Sequence, residues 1–483
     1  MVGMRRGRRP SQAVGSRVQA HVSGDVVRMK RFFWPANAES PKRELEDVKG
    51  SRCAHCGVVH GEGLRVCPST GLALGADGNT LFVANNLGDS LGVITDLRGA
   101  RKLHRIDLRH DRKQLIYPYG VVVLPGARYK VYVSCWNDDT VAVINPFHGE
   151  RALVRIPVGR HPTVMLLNPE RTRLYVANSN GDSVSVIDTA SDKEIERINV
   201  RLSETVPPGN SPEGLALKGD DLYVANAHSN SVAVVELSDK SRSTVRGFIP
   251  TGQYPSALAI VGQTLFVGNG KGTGVENSSL VANTSGRVPN APNDRFPEGS
   301  ASRRQGGQYS GSIVVGNISA ISIPDDPALA RYTQQAMRNN GLLGPRRTRL
   351  FTGRSPIKHV IYVIKENRTY DQVYGDVATS GDGTKADGDS SLAIFGAAEA
   401  AARPDGRRQD ITPNHRALAL RFGLLDRFFV NSEASPDGHN WSTAAFSTDY
   451  VDKAFRWHYG RRGRTYDYEG FNRLPNYQPL RPQ

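Results

Sequence analysis

From Gly71 onward, short runs of alternating apolar and polar residues recur along the chain. GLALGADGNTLFVANNLGDSLGVIT is followed by GVVVLPGARYKVYVSCWNDDTVAVIN and TVMLLNPERTRLYVANSNGDSVSVID, then by GLALKGDDLYVANAHSNSVAVVE and ALAIVGQTLFVGNG. The anchor residues Leu81, Val131, Leu174, Leu222 and Leu265 are spaced 50, 43, 48 and 43 residues apart. Each copy holds three strand-like runs separated by polar turns, and a fourth β-rich stretch such as KEIERINV or STVRGFIP follows. A unit of this size predicts one four-stranded antiparallel blade. Such a blade cannot bury both of its faces alone, so the copies are expected to pack side by side around an axis as a β-propeller.

Further along, the pattern breaks. Residues 268–311 form a long stretch rich in Gly, Ser, Asn and Pro, which reads either as a functional loop or as disorder. Within it, Gly270-Lys271-Gly272 offers backbone amides to an anion but lacks the strand–loop–helix setting of a P-loop. GSIVVGNISAISIPD (311–325) suggests a sixth unit. PALARYTQQAMRNN (327–340) has helical spacing, with Asn340-Gly341 as its stop. At Ile357 the periodicity changes to a continuous apolar run of the kind that forms a buried parallel strand. That run ends in Lys365-Glu366-Asn367-Arg368, a carboxylate beside a carboxamide. The ends of parallel strands are where α/β sheets hold ligands, so Glu366 and Asn367 are candidate oxygen donors to a hard cation; a capped helix start is the other reading. A later block, PNHRALALRFGLLDRFFVNSEASPDGHNWSTAAFSTDYV (413–451), reads as a helix, a short strand and a turn dense in Ser, Asp, His and Asn.

A chain of 483 residues is too long for one ordinary core, so several domains are expected. The formal charge is +15, and the first fifty residues hold eleven Lys or Arg against five Asp or Glu. This arm reads as a disordered, solvated tail; nucleic acid or anionic lipid is the other reading. No segment approaches the ~18 apolar residues of a membrane span, and the basic N-terminus lacks the apolar run of a convincing signal peptide. The chain therefore reads as soluble and not exported. No cofactor motif supports a propeller oxidoreductase.

Three of the four cysteines lie in CAHCGVVHGEGLRVC. Cys53-x-x-Cys56 is a knuckle that lets two thiolates reach one zinc ion, with Cys67 as a third ligand and His55 or His60 as a fourth. A disulfide and free thiols are the alternatives. Cys135 sits in a strand pattern and is expected to be buried.

LYVAN at 174–178 and 222–226, followed by Asp182-Ser183-Val184-Ser185-Val186-Ile187-Asp188, resembles the YVTN family of β-propeller repeats over about Gly71 to Pro324. That resemblance implies about seven blades. IKHVIYVIKENRTYDQVYGD, with PNHRALA and SPDGHNW downstream, resembles the phosphoesterase family of phospholipase C and related acid phosphatases, in the alkaline phosphatase superfamily. The resemblance implies a divalent metal ion held by Glu366 and Asn367, and a Ser nucleophile that is also a metal ligand. Ser435 is the candidate, with Ser432 behind it. Asp437 would orient the nucleophile or bind metal, while His439 and Asn440 would contact phosphoryl oxygens. The substrate would be a phosphate ester, which a positive chain could steer.

The domain plan is a basic arm (1–50), a Cys-containing segment (51–70), a propeller (71–326), a helix and linker (327–355), and the N-terminal part of an α/β phosphoesterase domain (356–483). From Pro356 to Gln483 there are 128 residues, whereas that family's domain normally runs to several hundred. Its later Asp and His ligands have no clear counterpart, although His458 and Asp467 lie in the tail. The functional expectation is a metal-dependent phosphoric-ester hydrolase with the propeller as accessory binding domain. The alternative is a non-catalytic propeller binding protein with a truncated, inactive phosphoesterase domain. Members of the phosphoesterase family are often exported.

Overall fold

In the second strand of the first four repeats, apolar side chains point to both faces, and both faces are covered. The computed structural model describes residues 20–22, 25–27, 71–111, 115–124, 130–147, 154–204, 208–238, 242–272, 316–343, 351–397, 401–402, 405–428, 432, 434–445, 447–448 and 451–452. The chain divides into two compact units, one of 1–274, 315–343 and 439–483, the other of 275–314 and 344–438.

In the first unit, four repeats fold as antiparallel four-stranded sheets and a fifth as a three-stranded sheet, with chain order equal to spatial order. The second strands are Leu81–Asn85, Lys130–Cys135, Arg173–Asn178, Asp221–Asn226 and Thr264–Asn269. The first strands Leu72–Leu74, Pro118–Leu124, Pro162–Leu167, Pro212–Lys218 and Pro255–Val261 neighbour one another in succession, as the inner strands of a propeller do. Outer strands such as Lys193–Asn199 alternate exposed and partly buried residues.

The core is a series of layers between consecutive sheets. Phe82 and Leu91 meet Val131, Val133 and Ile144, and Tyr132 and Val143 meet Leu174, Val176 and Ile187. Tyr175 and Val184 meet Leu222 and Val224, while Tyr223 and Val234 meet Leu265 and Val267. Cys135 lies in the first layer with no exposed surface, and burial pushes its thiol up to about 12. At the two ends of the row the apolar residues Leu72, Leu74, Val261 and Ile318 stay exposed.

The fold corrects the reading of a sixth unit. Asn317–Ser322 does not begin a sixth unit; it pairs antiparallel with Thr264–Asn269 as the third strand of the fifth sheet. The long insertion therefore separates two paired strands of one sheet. About seven blades were expected, and the described residues form five such sheets. Helix α1 (Asp326–Asn339) is capped by Asp325, which accepts from Ala328 N–H, and is followed by Gly341 at φ +68°. It packs on the fourth sheet through Leu329 and Ala336, and Thr333 Oγ1 accepts from Phe248 N–H. Gly247 leaves room for this approach, since a Cβ there would sit 2.5 Å from Thr333 Oγ1.

In the second unit the apolar run does not form the expected buried strand. Val360, Ile361, Tyr362 and Val363 lie in no strand and are 69–89% exposed. No described strand lies alongside to take up its backbone groups, and an apolar pattern alone cannot make a sheet. The alkaline-phosphatase-like α/β sheet is therefore absent among the described residues. Instead the unit holds α2 (Tyr370–Tyr374), with a Thr369/Gln372 capping box, and α3 (Pro413–Phe422). Arg416 ties the two helices together through Asp376 (2.6 Å) and Val373 O. SPDGHNW, expected as a turn, opens helix α4 (Ser435–Ala444), of which the residues up to Gly438 belong to this unit.

Neighbouring sheets are also joined by polar side chains in left-handed turns. Asp89, Asp139, Asp182 and Asn230 precede the third strands at φ 47–52°, a conformation that Asp and Asn tolerate. Each accepts from backbone N–H groups entering the next sheet. Asp89 Oδ1 takes Ile116 (2.8 Å) and Tyr117 (3.1 Å), Asp139 takes His161 (2.9 Å), and Asn230 takes Tyr254 (3.0 Å). Asp182 takes Gly209 (2.8 Å) and Asn210 (2.7 Å), has no exposed surface and pairs with Arg201. Asp182→Ala is expected to destabilise the propeller unit by about 3 kcal/mol, because two buried donors and a cation lose their acceptor. Urea unfolding followed by circular dichroism measures this, and a loss below about 1 kcal/mol would refute the role of the side chain.

Candidate functional site

The same turns gather side chains at one end of the row of sheets. Two positions recur there. One follows the second strand, at Asn137, Asn180, His228 and Lys271; the other precedes the next first strand, at Tyr117, His161, Ser211 and Tyr254. The latter four have φ of 51–59° and are buried. Trp136, fully buried, stacks on His161 with ring centroids 3.8 Å apart and planes 8° apart, and Tyr117 meets it edge-on. Burial, helped by the Arg160 charge and opposed by hydrogen bonding to Asn180, pushes the His161 imidazole down to about 3, so it is neutral at pH 7. Asn137 Oδ1 is buried without a hydrogen-bond partner among the described residues.

At the fourth and fifth sheets the recurrent position changes from amide to base. His228 Nδ1 lies 3.1 Å from Ser211 Oγ and 3.2 Å from Gly209 O. Its Nε2 lies 2.6 Å from Asp452 Oδ2, and Lys271 Nζ reaches the other oxygen of that carboxylate at 3.5 Å. Both ring nitrogens thus face oxygen. Tyr254 lies beside both groups, 5.7 Å from the His228 ring and 5.1 Å from Lys271 Nζ, and Trp441 meets His228 edge-on at 5.5 Å. The side chain of Asp452 is 1% exposed. Burial alone would raise its carboxyl, but the His228 hydrogen bond and the His228 and Lys271 charges hold it below the ordinary carboxylate value.

Among the residues singled out for phosphoester chemistry, His439 and Asn440 directly precede Trp441, whereas Glu366 and Asn367 lie far from the cluster in sequence. Glu366 and Asn367 follow the exposed apolar run, and Arg368 donates to Asn367 O. Ser435 opens α4, half-buried. Asp437 is fully buried, and its Oδ1 accepts from Ala434 and Gly438 N–H, the backbone donors that a helix start leaves over. Ser432 Oγ donates to Ala434 O, Asn440 is buried, and His439 O accepts from Thr443 Oγ1. Among the described residues no group of three or more His, Cys, Asp or Glu side chains could hold a metal ion. Cys53, Cys56 and Cys67, with His55 and His60, and likewise His458 and Asp467, lie outside the described residues.

Sequence reasoning missed His228 and Asp452 and singled out Lys271 only for its flanking glycines. Aligning the copies on Asn178, Asn226 and Asn269 places Asn180, His228 and Lys271 at one offset, and this was the available signal. Nothing local marks Asp452, which is 224 residues from His228.

No family model matches this chain, and no curated protein matches it. Among solved structures, a candidate 6-phosphogluconolactonase from Bacteroides fragilis is 20% identical, with a TM-score of 0.35, over 44% of this chain and 66% of its own. Virginiamycin B lyase from Staphylococcus aureus is 15% identical, with a TM-score of 0.34, over 44% and 67%. The periplasmic gluconolactonase of Pseudomonas aeruginosa is 19% identical, with a TM-score of 0.36, over 42% and 63%. This chain thus spans about two thirds of the length of each. The activities in these names belong to those proteins. Among the described residues, no helix is long and apolar enough to cross a membrane.

The buried neutral His161 makes stability depend on pH. The unfolded chain takes up a proton below the ordinary 6.5, whereas the folded chain does so only near 3, so this contribution is complete above 6.5 and lost as pH falls toward about 3. His161→Phe, which keeps a ring against Trp136, is expected to remove roughly 1.4 kcal/mol per pH unit of slope across that window. Unfolding titrations at pH 7, 6, 5 and 4 compare the slopes; parallel curves for the two proteins would show that His161 is not held neutral.

Proposed function

We propose that this chain is a phosphoric-ester hydrolase in which Ser435 is the nucleophile and the propeller is an accessory binding domain. The supporting observation is local. SPDGHNW folds as the start of α4, so Ser435 and His439 are four residues apart on one helix and share a face. In the first turn the hydroxyl stands at the positive end of the helix, where a phosphoryl oxyanion is favoured. Asp437, turned into the interior, fixes that turn. In the proposed reaction, Ser435 Oγ attacks phosphorus in line as its proton passes to His439. The P–O bond to the leaving group breaks, and water then cleaves the phosphoserine. Metal dependence through Glu366 and Asn367 is part of the proposal on the strength of the sequence resemblance alone.

A second reading, a non-catalytic propeller binding module, is favoured by the His228–Lys271 cluster, which needs no chemistry to explain it. Hydrolysis of p-nitrophenyl phosphate and bis-p-nitrophenyl phosphate, with and without added Mg²⁺, Mn²⁺, Ca²⁺ or Zn²⁺, separates the two. Ser435→Ala is expected to lower kcat by roughly a thousandfold or more, and His439→Ala by roughly a hundredfold. Full activity in Ser435→Ala would overturn the assignment; metal bound without turnover would leave the binding module.

A further inference from the structure

The carboxylate held by His228 and Lys271 comes from outside the repeats. Its two partners belong to the repeats: His228, with Ser211 and Gly209 at its Nδ1, and Lys271, directly after the fifth second strand, with Tyr254 beside both. Asp452 is 224 residues from one partner and 181 from the other. It enters with a segment that also lays Trp441 against His228. Relative to the repeats, Asp452 is a guest among an imidazole, an ammonium and the ring of Tyr254.

We propose that this pocket is a binding site for a small oxyanion, a carboxylate or a phosphate group, and that Asp452 occupies it in cis as a displaceable internal ligand. Three observations point this way. The two oxygens of Asp452 are divided between an imidazole nitrogen and an ammonium, as the oxygens of a free carboxylate or phosphate would be. The pocket is nearly closed to solvent, with 8% of the His228 side chain and 22% of the Lys271 side chain exposed, so charge pairing there is little screened. The docked segment is also imperfectly satisfied. Among the described residues, Trp441 Nε1 and Ser447 Oγ are buried without a hydrogen-bond partner. Each such atom opposes docking by about 1–3 kcal/mol and would regain water on release. The inference does not depend on hydrolysis at Ser435.

The test uses the full chain with Asp452→Ala, Asp452→Asn and the double variant Asp452→Ala/Lys271→Ala, each checked for an intact thermal transition. Sodium acetate and inorganic phosphate are titrated separately at constant ionic strength, and the ring resonances of His228 are followed by NMR. A tethered competitor lowers apparent affinity by the fraction of time it fills the site. Asp452→Ala is therefore expected to bind at least one of the two anions roughly tenfold more tightly than the parent chain, and the double variant to lose that gain. Which anion binds identifies the ligand class. The proposal is overturned if neither anion binds Asp452→Ala more tightly than the parent. It is equally overturned if Lys271→Ala leaves the gain in place. Should Asp452→Ala not fold, Asp452→Asn carries the same comparison, because it keeps the shape and loses the charge.

Discussion

The loop end of this propeller depends on one repeated device, a short polar side chain in a left-handed turn that accepts backbone N–H groups from the following sheet. Asp89, Asp139, Asp182 and Asn230 each do this. The apolar layers hold adjacent sheets together but are non-directional and set only approximate spacing. The turn side chains add direction. They fix where the chain enters each sheet, and so place Tyr117, His161, Ser211 and Tyr254 in equivalent buried positions.

Function can vary on this frame without disturbing it. At one recurrent position Asn137 and Asn180 give way to His228 and Lys271, and at the other an imidazole stacked on Trp136 gives way to a hydroxyl beside His228. The two histidines end in opposite circumstances. His161, walled in and next to Arg160, is held neutral; His228 faces oxygen at both nitrogens and meets a buried carboxylate.

What could be read from sequence followed the range of the interactions. Strands such as Arg173–Asn178 and helix α1 were legible because alternation, capping and turn residues act within a few positions. The sixth unit failed because Asn317–Ser322 pairs with Thr264–Asn269 across the long insertion, and no local pattern reveals such a partner. The apolar run at Val360–Ile364 predicted a buried strand, but burial needs neighbours that the run itself does not encode. SPDG carries turn residues, yet Asp437 captures Ala434 N–H and the stretch becomes a helix start. Ser435 and His439 were named from resemblance; their placement on one helix required the structure. The Asp452 contact could not have been found from spacing at all.

Amide hydrogen exchange at the entry points of the sheets tests the account most directly. The N–H groups of Tyr117, His161, Asn210 and Tyr254 lie at turns, where exchange is ordinarily fast. If the left-handed Asp and Asn side chains order this end of the propeller, these amides exchange as slowly as those of the central strands, at Val176 and Val224, and only on global unfolding. Exchange at loop-like rates while the strands remain protected would contradict it.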